Sequence, residues 1–359
     1  YAKWTKPARS DRNLVVIGAG AGGLVSSYIA AAVKAKVTLI EGHKMGGDCL
    51  NYGCVPSKAL IRSAKLAKQL HKAQELGIQN AQGSVDFAAV MRRIHRVIAD
   101  IEPHDSVDRY NGLGVEVLQG HARITSPWTV EVTLADGSQQ VLTTRSIVIA
   151  TGASPFVPPI PGLKEAGFLT SDTVWGLTEL PQRLVVLGGG PIGCELAQSF
   201  ARLGAEVTQV EMAPRIMGRE DPEVSELVAA SLRADGVNIL TGHQAVRVEQ
   251  TSNGSKQLIV RHGDKSPQGP QELAIPFDQL LCAVGRSPRV TGYGLEELGI
   301  PLTGRKTIET NAYLQTLYPN IYAVGDVAGP FQFTHTAAHQ AWYAAVNALF
   351  GRFRKFKAD

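Results

Sequence analysis

The hydrophobic pattern of the chain is built on short aliphatic runs that end in glycine. Leu14-Val-Val-Ile runs into Gly18-Ala-Gly20-Ala-Gly-Gly23, and Leu184-Val-Val-Leu runs into Gly188-Gly-Gly190-Pro-Ile-Gly193. Four consecutive apolar residues without alternation predict a strand buried on both faces, as in a parallel sheet. Each glycine turn opens an apolar helical stretch. A second strand follows, Val37-Thr-Leu-Ile-Glu41 in one copy and Val207-Thr-Gln-Val-Glu211 in the other. A further pair closes each unit: Ser146-Ile-Val-Ile-Ala150-Thr151-Gly152 matches Gln279-Leu-Leu-Cys-Ala283-Val-Gly285-Arg286. Both copies then meet a proline, Pro155 or Pro288, which stops the strand. Residues 115–141 alternate Val, Ile and Leu with polar positions and carry the turn Asp136-Gly137, which predicts a β-meander. Residues 87–110 read as helix with a break or kink at Pro103, and 334–349 as an apolar helix.

This internal repetition predicts an α/β protein with two Rossmann-like dinucleotide-binding domains in three layers, the second inserted into the first. The boundaries read as 1–153 for the first part of one dinucleotide-binding domain, 154–283 for the inserted second one and 284–359 for the return segment of the first. A lone Gly-x-Gly-x-x-Gly is a weak signal. Here it twice follows an apolar strand, opens a helix and precedes an acid at the next strand's end, the context that gives the fingerprint meaning. Gly18 and Gly188 permit the tight turn, Gly20 and Gly190 let backbone approach a pyrophosphate, and Gly23 and Gly193 let helix and strand pack closely. The helix N-terminus offers N–H groups to phosphate, and Glu41 and Glu211 are placed to accept from a ribose. Two dinucleotides are implied.

Composition narrows the field. At 359 residues the chain exceeds one ordinary core, and 44% apolar content with 37 glycines suits a folded, turn-rich protein. The +4 net charge, 36 basic against 32 acidic residues, is too mild for a nucleic-acid partner. No apolar run reaches the ~18 residues of a membrane span, and no signal-peptide pattern opens the chain. The expected compartment is cytoplasmic. Trp4 among Lys3, Lys6 and Arg9 reads as a solvated linker, with a tether to the inner face of a membrane as the alternative. The start at Tyr1 and the end at Asp359 soon after an apolar helix suggest a segment of a longer polypeptide.

The most specific stretch is Gly46-Gly47-Asp48-Cys49-Leu50-Asn51-Tyr52-Gly53-Cys54-Val55-Pro56-Ser57-Lys58. Pro56 suits a first helical turn, so Cys54 falls at or near a helix N-terminus, where a thiolate is stabilised. Lys58 lies on the same helical face. Zinc is disfavoured, since no second Cys or His pair stands at ligand spacing, and an inert disulfide does not suit the cytosol. A catalytic dithiol remains. Cys194, inside a helix, and Cys282, inside an apolar strand, read as ordinary buried cysteines.

Cys49-x4-Cys54 with Val-Pro-Ser-Lys58, the two nucleotide motifs and Gly325-Asp326 together resemble the pyridine nucleotide–disulfide oxidoreductases, closest to the dihydrolipoamide dehydrogenase and mercuric reductase branch. The resemblance spans essentially the whole chain. It implies an enzyme, with FAD in the first unit, NAD(P)H in the second, and a hydride relay from nicotinamide through flavin to the Cys49–Cys54 disulfide and on to substrate. Glu211, whose charge would repel a 2′-phosphate, favours NAD(H) over NADP(H), with the nearby Arg215 as the counter-argument. It further implies that Cys54 contacts the flavin and Cys49 attacks substrate. Lys58 would lie near the flavin ring, paired with Glu195. Gly47, Thr151, Gly152 and Asp326 after Gly325 would touch FAD, and Gly285 and Arg286 would belong to the cofactor contacts of the second unit. The plainer readings are two surface charges for Lys58 and Glu195 and a turn residue for Asp326.

Two departures matter. Asp48 stands where relatives usually carry Thr, and the stretch ending at Asp359 is expected to stop short of the family's carboxy-terminal interface domain, with the acid–base pair or metal-handling cysteines it would supply. His335 and His339 read as structural. The expected substrate is a small-molecule or protein disulfide, or Hg(II), with a homodimer for a full-length protein and a monomer for this stretch alone. Competing readings are a flavin electron-transfer reductase or NADH oxidase, and a non-catalytic nucleotide-binding module, which would need neither the cysteines nor Lys58.

Overall fold

The computed structural model describes residues 3–251, 254–262 and 271–357; the terminal Tyr1, Ala358 and Asp359 lie outside them. The chain divides into two compact units. One comprises Tyr1–Asn51, Ala99–Ser154 and Ser287–Asp359, and the other Tyr52–Ile98 and Pro155–Arg286.

In the first unit Arg12–Ile17 is the central strand, paired in parallel with Val37–Glu41 on one side and Gln139–Ile149 on the other. Val115–Ser126 extends the sheet beyond Val37–Glu41, and Ile321–Ala323 extends it beyond Gln139–Ile149, both in parallel. Leu14, Val15 and Val16 are fully buried, as a strand covered on both faces requires. Val115–Ser126, Thr129–Leu134 and Gln139–Ile149 form the meander, turning at Asp136-Gly137, where Ser138 donates to the Asp136 carboxylate at 2.9 Å. Helix Ala21–Ala32 packs on helix Thr334–Phe350 through small residues, with Ala30, Ala341, Ala344 and Ala345 all buried without residual exposure. Trp4 packs against this unit's core instead of standing in solvent.

The second unit has a five-stranded parallel sheet in the order Asn238–Thr241, Glu206–Glu211, Arg183–Leu187, Gln279–Cys282, Leu169–Thr170. An antiparallel sheet of His243–Gln250, Lys256–His262 and Gln271–Phe277 adjoins it. Helix Cys54–Lys72, and helix Phe87–Ile101 as far as Ile98, belong to this unit, whereas the sequence boundaries ran 1–153 as one piece. The reason is packing. Ala59, Leu60, Ala64, Met91 and Ile94 share a core with Leu196, Phe200 and Trp175, and the Phe87 and Phe200 rings lie 5.8 Å apart. Periodicity shows that a helix has an apolar face, not which sheet that face will cover. The helical stretch around Pro103 breaks as expected: Phe87–Ile101 ends before a 3-10 turn at Glu102–His104, and a new helix runs Val107–Leu113, capped by the Ser106 hydroxyl.

Candidate functional site

The two fingerprint loops are built alike, each within its own unit. After the central strand, Gly18 takes φ +100° with its Cα pressed on the Ala150 carbonyl, leaving no room for a Cβ. Gly20 then caps helix Ala21–Ala32 in extended conformation, and Gly190 caps helix Pro191–Arg202 in the same way. Neither helix has a side-chain cap, so the first-turn amides face outward, as anion binding demands. A Cβ built on Gly190 meets nothing within 4 Å, which is the open approach a pyrophosphate needs.

The strand-end acids do more than the sequence reading assigned them. Glu41 accepts from the Ala19 amide at 2.6 Å and from the His43 amide at 2.7 Å. Glu211 repeats this with the Gly189 amide at 2.6 Å and the Ala213 amide at 2.7 Å. Each carboxylate therefore locks its own glycine loop to its own strand. A carboxylate has about four acceptor positions, so each keeps capacity for ribose hydroxyls. Arg215, near Glu211, donates back to the Gly218 carbonyl at 3.2 Å.

In the first unit the other predicted contacts are held by a network. Thr151 donates through its hydroxyl to the Arg289 carbonyl at 2.9 Å, and the Arg289 amide donates to the Gly152 carbonyl at 2.9 Å. The Tyr293 hydroxyl joins them, donating to Arg289 at 2.8 Å, and burial pushes its phenol up so that it stays protonated. Gly325 and half-buried Asp326 form a 3-10 turn after Ile321–Ala323. Gln340, fully buried on helix Thr334–Phe350, accepts from the Gly325 amide at 2.7 Å and donates to the Gly329 carbonyl at 2.6 Å. The sequence reading missed Gln340. Its signal was an uncharged amide in an alanine-rich helical stretch. His335 and His339 on that helix are exposed, and His339 packs edge-on to Tyr343 and Phe356.

The segment that carries Cys49 begins against the first loop. The Gly46 amide donates to the Ala19 carbonyl at 3.0 Å, and Gly47, at φ +57°, lies so close that a Cβ would stand 2.5 Å from the Gly20 Cα. Cys49 sits half-buried in the short helix Gly47–Asn51, with Asp48 in its first turn. Asn51 fastens this helix, donating to the Met45 and Gly47 carbonyls, both at 2.9 Å.

In the second unit Cys54 is the first residue of helix Cys54–Lys72, after the Gly53 cap, and is half-buried. No acid stands in that first turn, so the helix's positive end is left to the thiol. The segment before it is pinned where the Trp175 indole donates to the Tyr52 carbonyl at 2.9 Å. Lys58 Nζ meets both oxygens of Glu195, at 2.8 and 2.7 Å. Both side chains keep substantial exposure, 61% and 38%. Gly193 and Cys194, just before Glu195, lie on helix Pro191–Arg202, so the pair joins helix Cys54–Lys72 to the helix that opens the second fingerprint. Gly285, at φ +128°, ends the Gln279–Cys282 strand and accepts from the Phe156 amide at 2.9 Å, with Arg286 half-buried beside it.

Cys194 and Cys282 are buried, and burial raises both thiols, Cys282 to about 11. Neither supplies a thiolate near neutrality. Among the described residues no group of three or more His, Cys, Asp or Glu could hold a metal ion, and no helix is long and apolar enough to cross a membrane.

The family model for the pyridine nucleotide–disulphide oxidoreductases matches residues 12–341. Among curated relatives the chain is 35% identical to a mercuric reductase of Staphylococcus aureus, over 94% of this chain and 60% of that one. A mercuric reductase of Bacillus cereus is 35% identical over 97% of this chain and 53% of its own length. A dihydrolipoyl dehydrogenase of Chlamydia muridarum is 33% identical over 93% and 69%. The chain thus spans between about half and two thirds of the length of these relatives. Among solved structures, the HOCl-induced flavoprotein disulfide reductase RclA of Escherichia coli, as its Cu(II) complex, superposes with a TM-score of 0.81 at 29% identity, covering 96% of this chain and 72% of that one.

Proposed function

The chain belongs to the pyridine nucleotide–disulphide oxidoreductase family, whose members are FAD-dependent and draw electrons from NAD(P)H, and on that premise we propose that it is the two-nucleotide, dithiol portion of an NADH-using disulfide oxidoreductase. Bound FAD supplies a carrier that passes an electron pair from NADH to a disulfide. The residues that hold it are Gly18, Gly20, Gly23 and Gly47 along the loop, Glu41 at the ribose, and Thr151, Gly152 and Asp326 beyond. Gly188, Gly190, Gly193 and Glu211 hold the nicotinamide nucleotide in the second unit, with Gly285 and Arg286 at the neighbouring strand end. The electron pair breaks the Cys49–Cys54 bond and leaves one thiolate and, after proton uptake, one thiol. Cys54 keeps the thiolate at its helix N-terminus. Cys49 attacks a disulfide substrate and displaces its first thiol, and Cys54 then attacks Cys49 to re-form the Cys49–Cys54 bond and release the second. With Hg(II) as substrate the same dithiol closes to the disulfide as the ion takes up two electrons. Glu211 favours NADH, since its charge repels a 2′-phosphate and Arg215 is turned to Gly218.

The observation that carries this reading is the Lys58–Glu195 pair, which ties the cysteine-bearing helix to the second fingerprint helix at 2.7–2.8 Å. A non-catalytic nucleotide module needs neither Lys58 nor the two cysteines that precede it. The test is anaerobic titration of the yellow, FAD-loaded protein with NADH, followed by thiol labelling. Labelling should rise by two thiols per flavin, and by none in Cys54→Ser. A well-folded protein that takes up no flavin, or one that reduces flavin without exposing thiols, would overturn the proposal. The second outcome would leave a flavin electron-transfer reductase.

A further inference from the structure

Asp235 is a carboxylate with only 3% side-chain exposure, far from either fingerprint loop in sequence, and it gathers three side chains from two helices. Lys68, on helix Cys54–Lys72, reaches its Oδ1 at 2.9 Å. Arg202, at the end of helix Pro191–Arg202, reaches Oδ2 at 2.7 Å through Nη2 and at 2.8 Å through Nε. Gln198 on the same helix donates at 2.8 Å. Lys68 also donates to the Ala234 carbonyl at 3.2 Å, capping the end of helix Pro222–Ala234, where a cation is favoured. Burial alone would raise this carboxyl, yet hydrogen bonds and charge from Lys68 and Arg202 hold it below the ordinary range.

The position of this cluster gives it meaning. Lys58 and Lys68 lie on one helix about 15 Å apart along its axis, and Glu195 and Arg202 lie on the other about 10 Å apart. The two helices therefore run alongside each other with both N-termini at one end. They are bonded at that end by Lys58–Glu195 and at the far end by Lys68–Asp235–Arg202. Between these points the contact is Ala59, Leu60, Ala64 and Ala67 against Leu196, Ala197 and Phe200. Leu60 and Phe200 are large, fully buried side chains set among alanines, so packing resists sliding along the seam but without the directionality of a hydrogen bond. The far-end cluster supplies the stop.

We propose that Lys68, Asp235 and Arg202 are positioning residues, a buried clamp that sets the longitudinal register of the redox helix on the second fingerprint helix and so holds Lys58 on Glu195 and Cys54 at its working place. The clamp's functional consequence rests on the proposed hydride transfer, but its effect on the helix does not. A register error of about 1 Å costs up to ~10²-fold in a transfer that depends on alignment.

The test compares Lys68→Met with Lys68→Arg in the flavin-loaded protein, by hydrogen–deuterium exchange and by the rate of flavin reduction with NADH. Lys68→Met should raise exchange in the first two turns of the helix, across Ser57–Arg62, not only around Lys68. It should also slow reduction about tenfold at saturating NADH with the nucleotide's Kd unchanged. Lys68→Arg, which keeps the charge and the reach, should restore both. In a Lys58→Ala background Lys68→Met should slow reduction no further, because the clamp acts through that pair. Exchange changes confined to residues 66–72 and 234–237, an unchanged reduction rate, or full additivity with Lys58→Ala would overturn the clamp. If the unaltered protein cannot be reduced by any nicotinamide nucleotide, the proposed function falls, and the exchange pattern still judges the clamp.

Discussion

The two units use one sequence device in two mechanical settings. In both, a glutamate at the end of the second strand accepts a loop amide and an amide of its own strand end, with distances of 2.6 and 2.7 Å in each copy. Beyond that the loops differ. The first is closed in by backbone: Gly46 and Gly47 pack on Ala19 and Gly20, and the Gly325 turn is stapled by Gln340. The second is open at Gly190, where a Cβ meets nothing within 4 Å and Ile192 and Met212 are exposed nearby, while its Gly189 carbonyl accepts from the Met217 amide at 2.6 Å. A closed loop suits a group that stays bound through many cycles, and an open one suits a nucleotide that must come and go. The difference lies in what surrounds the fingerprint, not in the fingerprint.

The sharpest way to break this comparison is to add one methyl group to each loop. Gly47→Ala places a Cβ 2.5 Å from the Gly20 Cα at a φ of +57°, so both the contact and the dihedral are strained. The cost should be about 1–3 kcal/mol or more, drawn from the loop proposed to hold FAD. The purified variant should lose most of its flavin absorbance and melt earlier. Gly190→Ala should keep full flavin content and an unchanged melting temperature, while binding NADH more weakly. Equal flavin loss in both variants would show that the contrast between closed and open loops is false.

How far the residues alone led is visible in the same places. The fingerprints, their strands, the meander and the break at Pro103 were legible because each is a local signal: a run, a glycine, a period. The dual bonding of Glu41 and Glu211 was not, since a strand-end acid looks the same whether it faces ribose or its own loop. Gln340, Asp235 and Lys68 were illegible for a related reason. Each is an ordinary polar residue until the fold brings a distant backbone group or charge to it. The grouping of Tyr52–Ile98 with the second unit was illegible on the same ground. The Lys58–Glu195 pair, implied by family resemblance, is present as a bond, and the role assigned to it is what the experiments address.

A smaller effect separates what each glutamate does for its loop from what it does for a ligand. Glu211→Ala removes the acceptor for the Gly189 and Ala213 amides, and about 1 kcal/mol of stability per lost bond is the expected scale. Water can reach this half-buried site, so the measured loss should fall at the low end. The Kd ratio of NADPH to NADH should shrink by about tenfold, equivalent to 1.4 kcal/mol. Isothermal titration with both nucleotides checks it. NADPH binding more tightly than NADH to the unaltered protein would refute the assignment of Glu211 as the discriminating group.

The smallest stability effect belongs to the pair that matters most for the proposed chemistry. Lys58 and Glu195 are bonded at 2.7 Å but keep 61% and 38% of their side-chain exposure, so water and salt screen the attraction. Exposed pairs of this kind contribute at most about 1 kcal/mol, and often nothing measurable. Glu195→Gln should therefore leave the melting temperature nearly unchanged, all the more in high salt. If the pair exists to orient Lys58, flavin reduction by NADH should still slow, while flavin content stays full. The Gly190 and Asp235 regions predict the opposite balance, with binding or helix register responding first. Comparing unfolding and anaerobic stopped-flow reduction for the single variant decides between the two roles. A large drop in melting temperature with an unchanged reduction rate would make the Lys58–Glu195 bond a structural strut and remove the observation on which the proposed function stands.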